Sequence, residues 1–343
     1  MQEPLNPEPN QTPAPQSPES HSSEQRLPEP NLLAPPASSS ARLHNIFFSE
    51  DGLRSGWRFL LYLVLFGGFA FAFGRLAEYV VHHLPHKPAS IWSALMGEVL
   101  VLVAALIAAF IMARIEKRSF GDYGLPKQAA FGRAFWAGAV WGIAGITLLL
   151  LLISAAGDFS FGGIVLHGVR ILKFAAFWAV VFLAVGLFEE FLFRGYTLFT
   201  LTQGMGFWPA AILLSTIFGA VHLGNKGEAL LGALAAGLIG LFFCLTLRRT
   251  GTLWFAVGFH AAWDWGESYL YSVPDSGQVS PGHLLSSSFH GNRWITGGTV
   301  GPEGSVLVLV IVALLWIAFD RLYPNVKYPI PQKLTTTCSA RCT

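Results

Sequence analysis

The chain has 343 residues, 53% of them hydrophobic and only 12% charged, with a mean hydropathy of +0.50. Ordinary soluble domains carry about 25% charged residues, so this composition excludes a soluble globular enzyme and a disordered chain. The net charge of +2, from 22 basic and 20 acidic residues, leaves no electrostatic footprint for DNA or RNA, and no nucleic-acid partner is expected.

Residues 1–45 are dense in Pro, Glu, Ser, Gln and Asn and nearly free of aromatics. Such a segment cannot bury enough apolar surface to offset its ordering entropy, so it is expected to be a disordered tail. It has no apolar h-region and is not expected to be a cleavable signal peptide. From Trp57 the chain alternates apolar runs with short polar breaks. A bilayer crossing takes ~20 apolar helical residues. Eight candidate spans result, at about 57–80, 91–113, 134–156, 176–202, 206–223, 229–247, 252–271 and 304–321. The expected fold is an all-α polytopic membrane protein, multi-pass in the plasma membrane, with the lipid bilayer as its first partner.

Cytoplasmic loops are enriched in Lys and Arg. With the N-terminus inside, the inner segments hold 15 basic residues and the outer ones 6. Arg194 is intramembrane. Both termini and the basic 114–133 loop are therefore expected in the cytoplasm. The chain divides into the tail 1–45, three transmembrane helices over 46–170, a second membrane region over 171–325 and a polar C-terminal tail, 326–343. Three cysteines exclude a disulfide framework. Cys244 lies in an apolar run and is expected to be inert. Cys338 and Cys342, without nearby histidines, make a poor zinc site.

Ionisable groups inside spans are costly and suggest function. They are Glu98, Glu189, Glu190, Arg194, His222, His260 and Asp264, with Glu78 and Glu267 near span ends. Glu98 reads equally well as a packing residue. The fourth span contributes FEEFLFRG, Phe188 to Gly195. Residues four apart share a helix face, so Glu190 and Arg194 are placed to pair and Glu189 is left without a local cation. The fifth span ends in FGAVH, with Phe218 and His222 on one face. The seventh contains HAAWD, with His260 and Asp264 on one face. At ~1.5 Å of rise per residue, Glu189, His222 and His260 come to similar membrane depth, so a carboxylate and two histidines from three helices are expected to meet. The Gly- and Ser-rich outer segment 272–304, with His283 and His290, is expected to be a solvated loop.

At these residues the sequence resembles the CAAX-protease and bacteriocin-processing family of intramembrane proteases. Its members include type II CAAX prenyl endopeptidases and lysostaphin-resistance-like proteins. The EExxxR motif is matched by Glu189, Glu190 and Arg194, the FxxxH motif by Phe218 and His222, and the HxxxN/D motif by His260 and Asp264. The segment EKRSFGDYGL, Glu116 to Leu125, is similar to the cytoplasmic loop that precedes the family's catalytic domain.

The resemblance implies that 171–325 is a catalytic membrane domain that hydrolyses a peptide bond of a membrane-associated or lipidated protein or peptide. It implies that Glu189 and His222 activate a water while His260 and Asp264 face the oxyanion. An ionised Asp only accepts hydrogen bonds. Asp264 is therefore either protonated or an orienting carboxylate that holds His260 in its donor tautomer; the second is preferred, because the i+4 spacing suits it. Two histidines and a glutamate are also a ligand set of catalytic zinc. The expected cofactor is none or, if a metal is bound, a divalent ion such as zinc on Glu189, His222 and His260. The alternatives are a non-proteolytic immunity or scaffold protein of the same family and, more remotely, a proton-coupled transporter. A transporter more often shows repeats and broken spans in matching positions, and the sequence shows neither.

Overall fold

A computed structural model of the protein describes residues 46–49, 52–83, 90–225, 227 and 229–328. The expected disordered tail, Cys338 and Cys342 lie outside these residues. The helices are α1 (Ser55–His83), α2 (Ser90–Glu116), α3 (Arg133–Ala155), α4 (Val169–Glu190), α5 (Thr197–Met205), α6 (Phe207–His222), α7 (Leu230–Thr250), α8 (Trp254–Trp265), the single turn α9 (Arg293–Thr296) and α10 (Val306–Leu322). A π-helical turn, Phe191–Tyr196, joins α4 to α5, and a second, Gly266–Tyr271, extends α8. Two antiparallel strand pairs complete the described structure: Phe48–Ser49 with Gly52–Leu53, and Phe159–Ser160 with Ser288–Phe289.

Each of the eight expected spans corresponds to a helix or a joined pair of helices. Among the described residues, five helical stretches are long and apolar enough to cross a membrane, including the continuous Val169–Met205. Helix α6 is apolar but shorter, with 16 residues. The protein is an all-α membrane protein. Helix α4 begins seven residues before the predicted 176. Its first turns carry Arg170 and Lys173, whose long stems let their charged ends reach the interface.

Helix packing here rests on close backbone approach. A Cβ at Gly138 or Gly142 of α3 would lie 2.0 or 2.3 Å from the carbonyl oxygen of Phe255 or Phe259 on α8, and one at Gly258 would lie 2.1 Å from that of Phe135. Small residues spaced four apart allow such contact where no hydrophobic force acts between helices in lipid. On the other side of α8, a Cβ at Gly186 of α4 would lie 3.3 Å from the Val257 carbonyl oxygen. Helix α8 is thus held between α3 and α4, which fixes His260 opposite the two glutamates of α4.

The segment between α8 and α10 corrects an expectation. Residues 290–294 are exposed as expected, but other parts of the segment pack onto the helices or onto one another. Trp178 Nε1 donates to the Pro281 carbonyl at 3.0 Å, Gly277 N to Val300 O at 2.8 Å, and Leu284 N to Tyr269 O at 2.7 Å. Glycine permits the fold: Gly301 has φ +114°, and a Cβ there would lie 2.0 Å from the Pro274 carbonyl.

Candidate active site

Helix α4 ends in the paired glutamates and passes directly into the π-helical turn. Gly195 departs from helical geometry, at φ −85° and ψ −113°. The Thr197 hydroxyl donates five residues back, to Leu192 O at 2.5 Å. A Cβ at Gly195 would fall 2.7 Å from the Phe191 ring. Such turns recur at functional sites, because one extra residue re-aims the side chains around it.

Glu190 and Arg194 are fully buried and paired, with Arg194 Nη1 3.2 Å from Glu190 Oε1. The guanidinium lies against aromatic rings, 4.1 Å from the Phe218 centroid, 5.7 Å from Phe193 and 5.8 Å from Phe243. Room for it comes from Gly240 on α7, where a Cβ would lie 2.1 Å from Arg194 Nη2. Phe218 therefore has two tasks. Its ring faces the buried cation, and its carbonyl accepts a hydrogen bond from His222 Nδ1 at 2.7 Å. A carbonyl only accepts, so Nδ1 carries the proton and Nε2 of neutral His222 is left with its lone pair.

His260 is ringed by carboxylates. Its Nδ1 is 3.0 Å from Glu190 Oε1, and its Nε2 is 3.7 Å from Glu189 Oε2 and 3.5 Å from Asp264 Oδ2. The orienting contact preferred for Asp264 is thus made by Glu190. The i+4 spacing brings Asp264 to the other ring nitrogen, while Glu190, reaching across from α4, takes Nδ1. Glu190 serves Arg194 and His260 at once.

Glu189, His222, His260 and Asp264 all line one cavity of about 680 Å³. Glu189 retains 26% side-chain exposure into it, against none for Glu190. The adjacent acids thus diverge as their ~100° helical offset requires. Glu98 of α2 lines the same cavity, which the sequence left undecided. Asp275, Ser276, Gln278 and Glu303 line it as well. Their position follows from the packed outer segment, which short-range sequence pattern could not show. Burial, with Asp264 and Glu303 alongside, pushes the Asp275 carboxyl well above its ordinary value.

A metal requires its ligand atoms to converge. Among the described residues, Glu189, His222 and His260 do not form a closed ligand group, whereas Glu267, Asp275 and Glu303 do. The first set does not fit a metal in this arrangement.

Each of the three motifs thus contributes to a single cavity: Glu189 from EExxxR, Phe218 and His222 from FxxxH, and His260 and Asp264 from HxxxD, with Glu190 and Arg194 buried behind them. Residues 171–266 match the family model of the type II CAAX prenyl endopeptidase Rce1-like. All three motifs fall inside the matched segment, so the resemblance drawn from them holds over these residues. The match spans 96 of the chain's 343 residues, and over them the chain is similar to CAAX-type endopeptidases. No curated protein matches the chain.

The loop before α3 contributes from outside the matched segment. Glu116 accepts from Arg58 at 3.2 Å, from Tyr123 at 3.4 Å and from Tyr196, and Arg118 lies 3.7 Å away. Tyr196 closes the π-helical turn. EKRSFGDYGL therefore anchors the far end of the turn whose near end carries Glu190.

Proposed function

We propose that the protein is an intramembrane endopeptidase that hydrolyses a peptide bond of a membrane-associated or lipidated protein or peptide, with Glu189 and His222 activating the water. The observation that carries this reading is the convergence of Glu189, His222 and His260 on one cavity, with His222 Nδ1 bonded to a backbone carbonyl so that Nε2 faces its task as a base. A water between Glu189 and His222 loses its proton as it attacks the scissile carbonyl, and Glu189 returns that proton to the leaving amine.

Negative charge develops on the carbonyl oxygen, beside His260. Because Nδ1–H is committed to Glu190, Nε2 donates only in the imidazolium form. The carboxylates of Glu189, Glu190 and Asp264 are the counter-charge that form needs. A donor held in place before the charge develops stabilises the transition state without reorganisation. Asp264 acts on Nε2, while Glu190 and Arg194 position the ring. A scaffold or immunity protein would have no need of two water-activating groups facing a cavity.

The proposal includes eight spans in the plasma membrane with both termini in the cytoplasm, supported by the 15-to-6 asymmetry of basic residues. Reporter fusions at Lys127 and Gly291 should report opposite sides; the same side for both contradicts it. The catalytic reading is tested by comparing peptide termini in membranes carrying the wild type or Glu189→Gln at equal folded amount. New termini with the wild type alone are expected. Identical termini from both overturn the assignment.

A further inference from the structure

We propose that Glu267, Asp275 and Glu303 form a binding site for a divalent, oxygen-ligated cation of the calcium class. The three residues come from different segments: the π-helical turn after α8, the packed segment that follows it, and the 3₁₀ turn Pro302–Gly304 before α10. One carboxylate oxygen of each lies within 4.8 Å of the other two. Oxygens bind Ca²⁺ at about 2.3–2.6 Å, so ligands on opposite sides of the ion stand up to about 5 Å apart.

A second observation points to a ligand independently of this convergence. Glu267 is fully buried, and neither of its carboxylate oxygens has a hydrogen-bond partner among the described residues. Trp263 is a nearby side-chain donor, but it does not satisfy either oxygen. Burying a carboxylate without a partner is strongly unfavourable, and a cation at the same point removes the penalty. Among the described residues no lysine or arginine forms an ion pair with any of the three acids, and Asp264 adds a fourth negative group close by.

The remaining groups are also oxygens. Asp275 Oδ2 accepts from Ser268 Oγ at 3.3 Å, and Glu303 Oε2 accepts from Ser276 Oγ at 3.1 Å. An oxygen-only set favours calcium, magnesium or manganese over zinc. A substrate ammonium fits less well. Asp275 and Glu303 face the cavity, but the oxygens of Glu267 are buried away from it, so a bulky alkylammonium in the cavity would leave Glu267 unmatched. The ion would join the end of α8 to the start of α10 through the segment that walls the cavity. The backbone there is already set by Val273 N donating to Glu267 O at 2.9 Å.

The test reads binding rather than turnover, so its failure is separate from failure of the protease reading. The full chain, purified in lipid nanodiscs and stripped with chelator, is titrated with Tb³⁺ under tryptophan excitation, and the ion is then displaced with Ca²⁺, Mg²⁺ or Zn²⁺. A saturable signal displaced best by Ca²⁺, below about 1 mM, is expected, with a rise of several degrees in the unfolding midpoint on adding Ca²⁺. Asp275→Asn and Glu303→Gln should each weaken binding at least about tenfold, while Glu189→Gln binds like the wild type. Stripped Glu303→Gln should be no less stable than the stripped wild type, because it removes one of three crowded charges; this separates lost ligation from misfolding. Absence of a saturable signal in the wild type, or binding unchanged in both variants, overturns the site. So does a wild type whose midpoint ignores Ca²⁺ while Glu303→Gln alone is stabilised, which is the behaviour of protonated acids without an ion.

Discussion

Glu116 and Glu190 are glutamates at the two ends of one π-helical turn, and their surroundings differ in an instructive way. Glu116 is surrounded by donors: Arg58, Arg118, Tyr123 and Tyr196 all reach it. Both of its oxygens are bonded, and it ties α1, the loop and the turn together. Glu190 has Arg194 and His260 on one oxygen, and its second oxygen has no partner among the described residues. A saturated acid fixes structure. An under-saturated one, buried beside a cavity and bonded to a histidine that faces that cavity, fixes structure and also controls a reactive ring. Glu189, one residue earlier, completes the series: it opens into the cavity, with Oε2 3.7 Å from His260 Nε2.

This contrast orders four expected effects. Glu189→Gln should have the largest, because it deletes the base: turnover falls by roughly 10²–10⁴ with an unchanged yield of folded protein, measured as activity per folded molecule. Glu190→Gln strands the Arg194 guanidinium. Breaking a buried pair costs about 3–5 kcal/mol, so the folded yield and the unfolding midpoint should drop, and the remaining folded protein should also turn over slowly because His260 loses its Nδ1 acceptor. Glu116→Gln should cost about 1.5–3 kcal/mol, the range of hydrogen bonds to a charged group, with activity per folded molecule changed only a few-fold. If Glu116→Gln abolishes turnover in folded protein while Glu190→Gln spares it, the comparison is reversed. Asp264→Asn should have the smallest effect on the folded protein, with normal yield and a loss of activity of about 10–100-fold, since it approaches the ring nitrogen opposite the one Glu190 holds. A wild-type rate for Asp264→Asn would remove Asp264 from the site.

Much of the fold was legible because lipid imposes a simple rule: long apolar helical runs appear directly in the hydropathy. The Glu190–Arg194 pair was legible because both residues lie on one helix. What depended on contacts between helices was not. The i+4 spacing suggests the orienting role for Asp264, but the contact to Nδ1 comes from Glu190 on another helix. The role of Phe218 as a ring on Arg194 and a carbonyl for His222 has no signature in FxxxH itself. The outer segment misled because Gly, Ser and Pro mark irregular backbone equally well in solvent and against a helix. Its Glu303 stands 36 residues beyond Glu267, and Asp275, only eight residues on, lies past the end of the helical turn at Tyr271, so no helical period links the three. The π-helical turns were invisible for a similar reason: the apolar pattern runs through them unbroken.

The central claim is that Glu189 drives attack of a water on a peptide bond. The measurement that tests it most directly is hydrolysis by purified protein in lipid vesicles, in ¹⁸O-water, with a farnesylated CAAX-terminated peptide and an unlipidated membrane peptide offered together. The account predicts that the wild type cleaves at least one of them and places a single ¹⁸O in each new carboxyl terminus, while Glu189→Gln, folded to the same extent, forms labelled product at least about 100-fold more slowly. Labelled product at the wild-type rate from Glu189→Gln, or no labelled product from the folded wild type, would contradict it.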